Sequence, residues 1–187
     1  MTMRNTATDW GSLSKTFHWL IVLLLLTQAT IGLTMGDMPR ETRITMIGLH
    51  KSIGITILML AIARLVWVLF AGRPGPVPGV SRWQHRLAQA GHGLLYLLLF
   101  AVPLSGWLMG SYGGRPTEWF GLFELPRLVA ENAAAQERME ERHELLFWLL
   151  ALVATGHLVA ALYHHVFNRD ATLVRMLPRG WLRDPRG

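Results

Sequence analysis

Residues 143–165 read HELLFWLLALVATGHLVAALYHH, and from Leu145 to Asn168 no residue carries a formal charge. A bilayer's hydrocarbon core takes about 20 residues of helix to cross, so this run is long enough to span one. His143 and His157 are 14 positions apart. That is almost four helical turns, so both imidazoles share one face, separated by about 21 Å along the axis. One helix therefore offers a ligand at each of two depths.

Three further blocks have the same character. Thr16 to Gly36 is uncharged, Ser52 to Gly72 carries only Arg64, and Ala88 to Gly114 carries no formal charge. In a chain of 187 residues that is 51% hydrophobic, such uninterrupted blocks predict an all-α fold. We expect a four-helix transmembrane bundle forming one unit over 1–187, with helices near 16–36, 48–71, 88–111 and 143–168. The first block follows Arg4 and Lys15, as a secretory signal would. Its apolar run is longer than a signal core and lacks a small-residue cleavage site, so a retained helix is expected. Prolines 74, 76 and 78 break the chain between the second and third blocks. Pro103 should kink the third helix, and the alanine- and glutamate-rich stretch 128–142 should extend the fourth beyond the bilayer.

The net charge of +6 would suggest nucleic acid in a soluble protein, but here the basic residues sort by side of the membrane, and no nucleic-acid role is expected. With four spans the termini share a side. That side holds Arg4, Lys15, Arg73, Arg82, Arg86, Arg169, Arg175, Arg179, Arg183 and Arg186 against three acids. The other side holds Arg40, Arg43, Lys51, Arg115, Arg127, Arg138 and Arg142 against nine acids. The positive-inside rule then puts both termini in the cytoplasm.

There is no cysteine, which excludes disulfides, thiolate metal sites and covalently attached haem, so histidine must do any metal binding. His50 opens the second helix on the same side as His143, while His18 lies on the same side as His157. Matching by depth pairs His50 with His143 and His18 with His157, each pair drawn from two helices. Two axial imidazoles suit low-spin haem iron, and the macrocycle supplies apolar bulk for a bundle to pack around. We therefore expect two b-type haems. Gly32, 14 residues after His18, and Gly54, four after His50, are the positions where a flat ring would need close backbone approach, unless they serve ordinary helix packing. Arg64, 14 residues after His50, would meet the propionates of the inner haem or else snorkel to the surface. A zinc or iron transporter would want carboxylates beside these histidines within the spans, which contain none.

The motifs at these positions resemble the bacterial cytochrome b561 family, which includes superoxide:ubiquinone oxidoreductase. The resemblance rests on Lys15-Thr16-Phe17-His18-Trp19, on His50-Lys51-Ser52-Ile53-Gly54 with Ala63-Arg64-Leu65, on Gly91-His92 with Tyr96, and on His143-Glu144, Gly156-His157 and His164-His165. It also covers the run from Arg169 to Pro178. It implies a dihaem cytochrome of the bacterial inner membrane with His18, His50, His143 and His157 as axial ligands. It further implies electron transfer from a periplasmic donor to quinone, the best-defined activity being oxidation of superoxide with reduction of ubiquinone.

Superoxide is an anion, so Lys51 beside His50 and Arg142 beside His143 are the candidate entry residues, with Arg43 and Arg115. His164, seven residues after His157, would sit at the cytoplasmic rim and could protonate a quinone oxygen; it could equally anchor the helix end. His85, His92 and His165 read as structural or interfacial. An electron-carrier subunit that docks a dehydrogenase or a soluble cytochrome would need the same haems, with 112–142 as its docking patch. A haem-free bundle would be colourless.

Overall fold

The computed structural model describes residues 2–178 and 180–182. Arg179, Arg183 and Arg186, counted above in the basic tail, lie outside the described residues. The architecture is all-α apart from one small hairpin, with four long helices: α1 (Ser12–Thr34), α2 (Arg40–Ala71), α3 (Arg82–Tyr112) and α4 (Ala133–Tyr163). All four are long and apolar enough to cross a membrane. Their outward residues are large and apolar, with Leu69, Phe70 and Leu152 each more than two-thirds exposed, a surface that lipid covers and water would not.

The helices extend past the apolar blocks where charged residues continue good helix-forming sequence. α2 begins at Arg40 rather than near 48, and α4 begins at Ala133, so the extension expected over 128–142 is helical from 133 while 128–132 remain a loop. Asn132 caps α4: its Oδ1 accepts the Ala135 amide at 2.9 Å.

The chain divides into two compact units, each built from segments of all four helices. The first comprises Met1–Trp19, Ile62–Tyr96 and Ala151–Gly187. Here polar groups knot the segments outside the helices. Ser14, almost wholly buried, donates to Asn5 Oδ1 (2.7 Å) and accepts from the Trp67 indole (3.0 Å). Lys15 Nζ and Trp19 Nε1 donate to the carbonyls of Leu177 and Met176. The Gly75 carbonyl of the proline-rich loop accepts from Arg175 at 2.9 Å.

The second unit comprises Leu20–Ala61 and Leu97–Leu150, with a core of Ile21, Ile31, Ile53, Ile57, Ala61 and Leu99. It contains a hairpin absent from the sequence reading. Strands β1 (Thr117–Trp119) and β2 (Phe123–Leu125) pair antiparallel with Trp119 opposite Phe123. Its turn holds both Phe120 (φ 50°) and Gly121 (φ 69°) left-handed. A bulky residue at positive φ is strained and needs a tether. Ser52 provides it: Oγ accepts the Phe120 amide at 3.0 Å and lies 3.1 Å from the Glu118 carbonyl. Lys51 Nζ donates to the Pro116 carbonyl, and the Trp119 indole to Thr56 Oγ1.

Candidate haem centres

In the second unit, His50 on α2 and His143 on α4 face each other with ring centroids 6.2 Å apart and planes crossed at 77°. In the first unit, His18 on α1 and His157 on α4 do the same at 6.3 Å and 69°. Two imidazoles on opposite sides of one iron need about 6 Å between centroids, given metal–nitrogen bonds of about 2 Å and a ring radius of about 1 Å on each side. Both depth-matched pairs meet that requirement. Each unit thus contains one complete imidazole pair, drawn from two different helices.

The surroundings of the first pair fit a flat, bulky group. A methyl added at Gly32 would come within 3.3 Å of the His50 ring, and one at Gly106 within 3.2 Å of the His143 ring. The two glycines thus seat one imidazole each. Gly54 behaves differently: its open face meets the Gln28 amide at 3.3 Å, and Gln28 donates to the His50 backbone carbonyl at 2.7 Å. Gly54 thus makes room for a brace on the backbone that carries His50.

The His143 ring is oriented through Ser105. The Ser105 hydroxyl donates to the Val102 carbonyl (2.7 Å) and lies 2.8 Å from His143 Nδ1. With its only proton committed to Val102, it accepts from Nδ1–H, which leaves Nε2 unprotonated toward the metal position. Partners of this kind hold a ligand's tautomer and orientation, and losing one costs about 10- to 100-fold in metal affinity. If His143 holds a haem, Ser105→Ala should loosen it by about that factor, measured as transfer to a haem acceptor protein.

The His18 and His157 pair has two further neighbours. His92, read from sequence as structural, lies 5.4 Å from the His157 ring, closer than a partner across an iron atom would be. Arg64 stacks over the Tyr96 ring at 5.7 Å, reaches His18 Nδ1 at 3.3 Å through Nη1, and leaves its buried Nε without a partner. Among the described residues it forms no ion pair with a carboxylate. A guanidinium can only donate, and ligation through His18 Nε2 puts a proton on Nδ1, so Nη1 must then turn to an acceptor elsewhere. The carboxylates of a haem are such acceptors, and the Arg64 placement fits the group.

The expected entry residues lie as follows. Lys51 is half-buried and held by Pro116, with Arg115 and Glu118 as charged neighbours. Arg142, Arg115 and Arg43 are exposed, Arg43 bonding the Met38 carbonyl. His164, at the end of α4, pairs with Asp170. Sequence reading singled out none of Gln28, Ser105, Gly106 and Asp170. The small-residue pair Ser105-Gly106, just after Pro103 and on a span facing His143, was the available signal.

The family described as prokaryotic cytochrome b561 matches residues 9–179. Cytochrome b561 homolog 2 of Escherichia coli strain K12 is 35% identical over 184 residues, covering 95% of each chain. The probable superoxide oxidase CybB of Yersinia pestis is 33% identical, covering 87% of this chain and 92% of its own. Cytochrome b562 of Cereibacter sphaeroides is 32% identical, covering 88% and 92%.

Proposed function

The chain belongs to the prokaryotic cytochrome b561 family, membrane b-type cytochromes that bind haem b and transfer electrons, and from that premise we propose that it carries two haems and moves electrons across the bacterial inner membrane to ubiquinone. The donor in this reading is superoxide. Two superoxide anions give two O2 and two electrons, and one ubiquinone takes up both electrons with two protons to become ubiquinol. The observation that carries the reading is the pair of imidazole couples at 6.2 and 6.3 Å.

When bound, haem supplies a one-electron carrier at each couple. The protein's own part is to hold the ligands and manage charge. Gly32, Gly106, Gln28 and Ser105 set His50 and His143; Arg64 neutralises anionic charge beside His18. With cytoplasmic termini, His50 and His143 would hold the outer haem, beside which Lys51 and Arg142 would offer local positive charge to an anion. His18 and His157 would hold the inner one, on the side where His164 would meet the quinone. The Yersinia relative's name supports superoxide as donor.

A second reading, a carrier subunit that docks a protein donor, is favoured by the hairpin. Phe120, Leu122 and Phe123 are about half to three-quarters exposed there, and the Lys51 ammonium is occupied by Pro116. The deciding experiment takes detergent-purified protein, measures haem per chain, then adds superoxide followed by ubiquinone. Two haems reduced by superoxide and reoxidised by ubiquinone support the oxidase. Two haems indifferent to superoxide support the carrier, and a colourless protein ends both readings.

The crossed rings give an independent signature. Parallel axial imidazoles split the iron's π-symmetry orbitals, whereas rings at 69° and 77° act on different orbitals and leave them nearly degenerate. If these rings hold ferric iron at these angles, both centres should show strongly anisotropic low-spin EPR signals, and ordinary rhombic signals would contradict the ring geometry.

A further inference from the structure

α4 ends in an unusual way. Residues His164–Asn168 widen into a π-helical turn, and Arg169 then adopts a left-handed conformation (φ 50°, ψ 47°). Widened turns of this kind recur at functional sites, and a non-glycine residue in the left-handed region persists only where its surroundings hold it. The result is a reversal that brings Asp170 back to the start of the turn. Its amide donates to the His164 carbonyl at 3.2 Å, and its Oδ2 lies 2.5 Å from His164 Nδ1. The other oxygen, Oδ1, accepts the Thr172 amide at 2.8 Å. Asp170 is only 5% exposed.

Burial pushes the Asp170 carboxyl up, but the hydrogen bonds from Thr172 and His164 outweigh it and hold the group below its ordinary value. An ionised carboxylate accepts and cannot donate, so the proton of this contact sits on His164 Nδ1. The Asn168 carboxamide also reaches Nδ1, at 3.1 Å, and a half-turn of that amide presents its oxygen to the same proton.

We propose that Asp170 is a positioning residue that keeps a proton on His164 Nδ1, so that Nε2 is the atom that delivers a proton to a quinone being reduced. This rests on the reading that His164 meets the quinone. In each half of the reduction the quinone takes up one electron from the donor and the doubly protonated imidazole gives its Nε2 proton to a quinone oxygen. Nδ1–H stays with the carboxylate, and Nε2 regains a proton from cytoplasmic water. Two rounds convert quinone, two electrons and two protons to quinol. Asp170 remains ionised throughout and stabilises the imidazolium, as carboxylates do for catalytic histidines elsewhere.

The test uses the haem-loaded protein, pre-reduced and mixed with a short-chain ubiquinone, together with 15N NMR of the His164 ring. Asp170→Asn turns an NH2 toward Nδ1. It should move the proton to Nε2, seen as exchanged 15N shifts, and slow haem reoxidation by about 100-fold, the lower range for loss of a general acid. The haem spectrum and the KM for quinone should barely change, and Asp170→Glu should recover at least a tenth of the rate. If His164→Ala reoxidises at the normal rate, the quinone reading itself fails. If His164→Ala is slow while Asp170→Asn is fast or keeps the original tautomer, the role of Asp170 is overturned. Loss of haem in Asp170→Asn with no recovery in Asp170→Glu would also overturn it, by showing a purely structural contact.

Discussion

If the chain carries the two proposed haems, replacing His157 by alanine should halve the haem content, from two per chain to one, and largely abolish quinone-dependent reoxidation. The ring it removes is half of the 6.3 Å couple with His18, and His18 alone offers an iron one axial bond where the low-spin state needs two. A rescue is imaginable, since His92 lies in the same unit only 5.4 Å from the His157 ring. That distance argues that His92 flanks the ligand rather than substituting for it. His92→Ala should therefore keep both haems and most of the electron transfer. Haem assay after alkaline pyridine treatment reads the ratio directly. Two haems in the His157 variant, or one in the His92 variant, would exchange the assignments.

Arg64→Leu should be the next most damaging change. Arg64 is half-buried in a membrane-spanning helix, packed on Tyr96 and touching His18, with its buried Nε unsatisfied. Removing one partner of a buried charge pair costs about 3–5 kcal/mol because the other charge is stranded. If haem carboxylates are that partner, the haem between His18 and His157 should be held roughly two to four orders of magnitude less tightly. Arg64→Lys keeps the charge but loses the forked donor geometry, so it should fall between the two. Competitive haem transfer at the two centres checks this. Unchanged retention in Arg64→Leu would mean that the guanidinium serves lipid headgroups instead.

The spans and the facing histidine pairs were legible in the sequence for a simple reason. Both rest on one-dimensional periodicities, 20 apolar residues for a bilayer and 14 residues for four turns, which need no knowledge of neighbours. Residues that orient the ligands were not legible. Ser105 acts on His143 from another helix, and Gln28 braces His50 across 22 positions; neither carries a local pattern. Gly54 adds a neighbour that its spacing from His50 did not reveal, the Gln28 amide, which a methyl there would meet at 3.3 Å. The hairpin escaped because its turn places Phe120, not asparagine or glycine, at a positive φ, so the usual Asn-Gly or Asp-Gly signal is missing. Asp170 was visible only as part of a motif. Its function depends on the widened turn that folds it back six residues onto His164.

The Ser52 tether joins α2 to residues 66 and 68 positions later in the chain. During synthesis at about 5–20 residues per second, that segment is made about 3–14 s after Ser52. In the interval Ser52 Oγ has a partner in its own helix, the Gly48 carbonyl at 2.9 Å, so α2 waits without an unsatisfied hydroxyl. The hairpin reaches Ser52 only if α3 has crossed the membrane and delivered residues 117–120 to the side where α2 began. A chain whose third segment fails to insert keeps those residues in the wrong compartment, and Phe120 loses the bond that holds its left-handed backbone. The latch can therefore close only once three segments have been threaded in the correct directions.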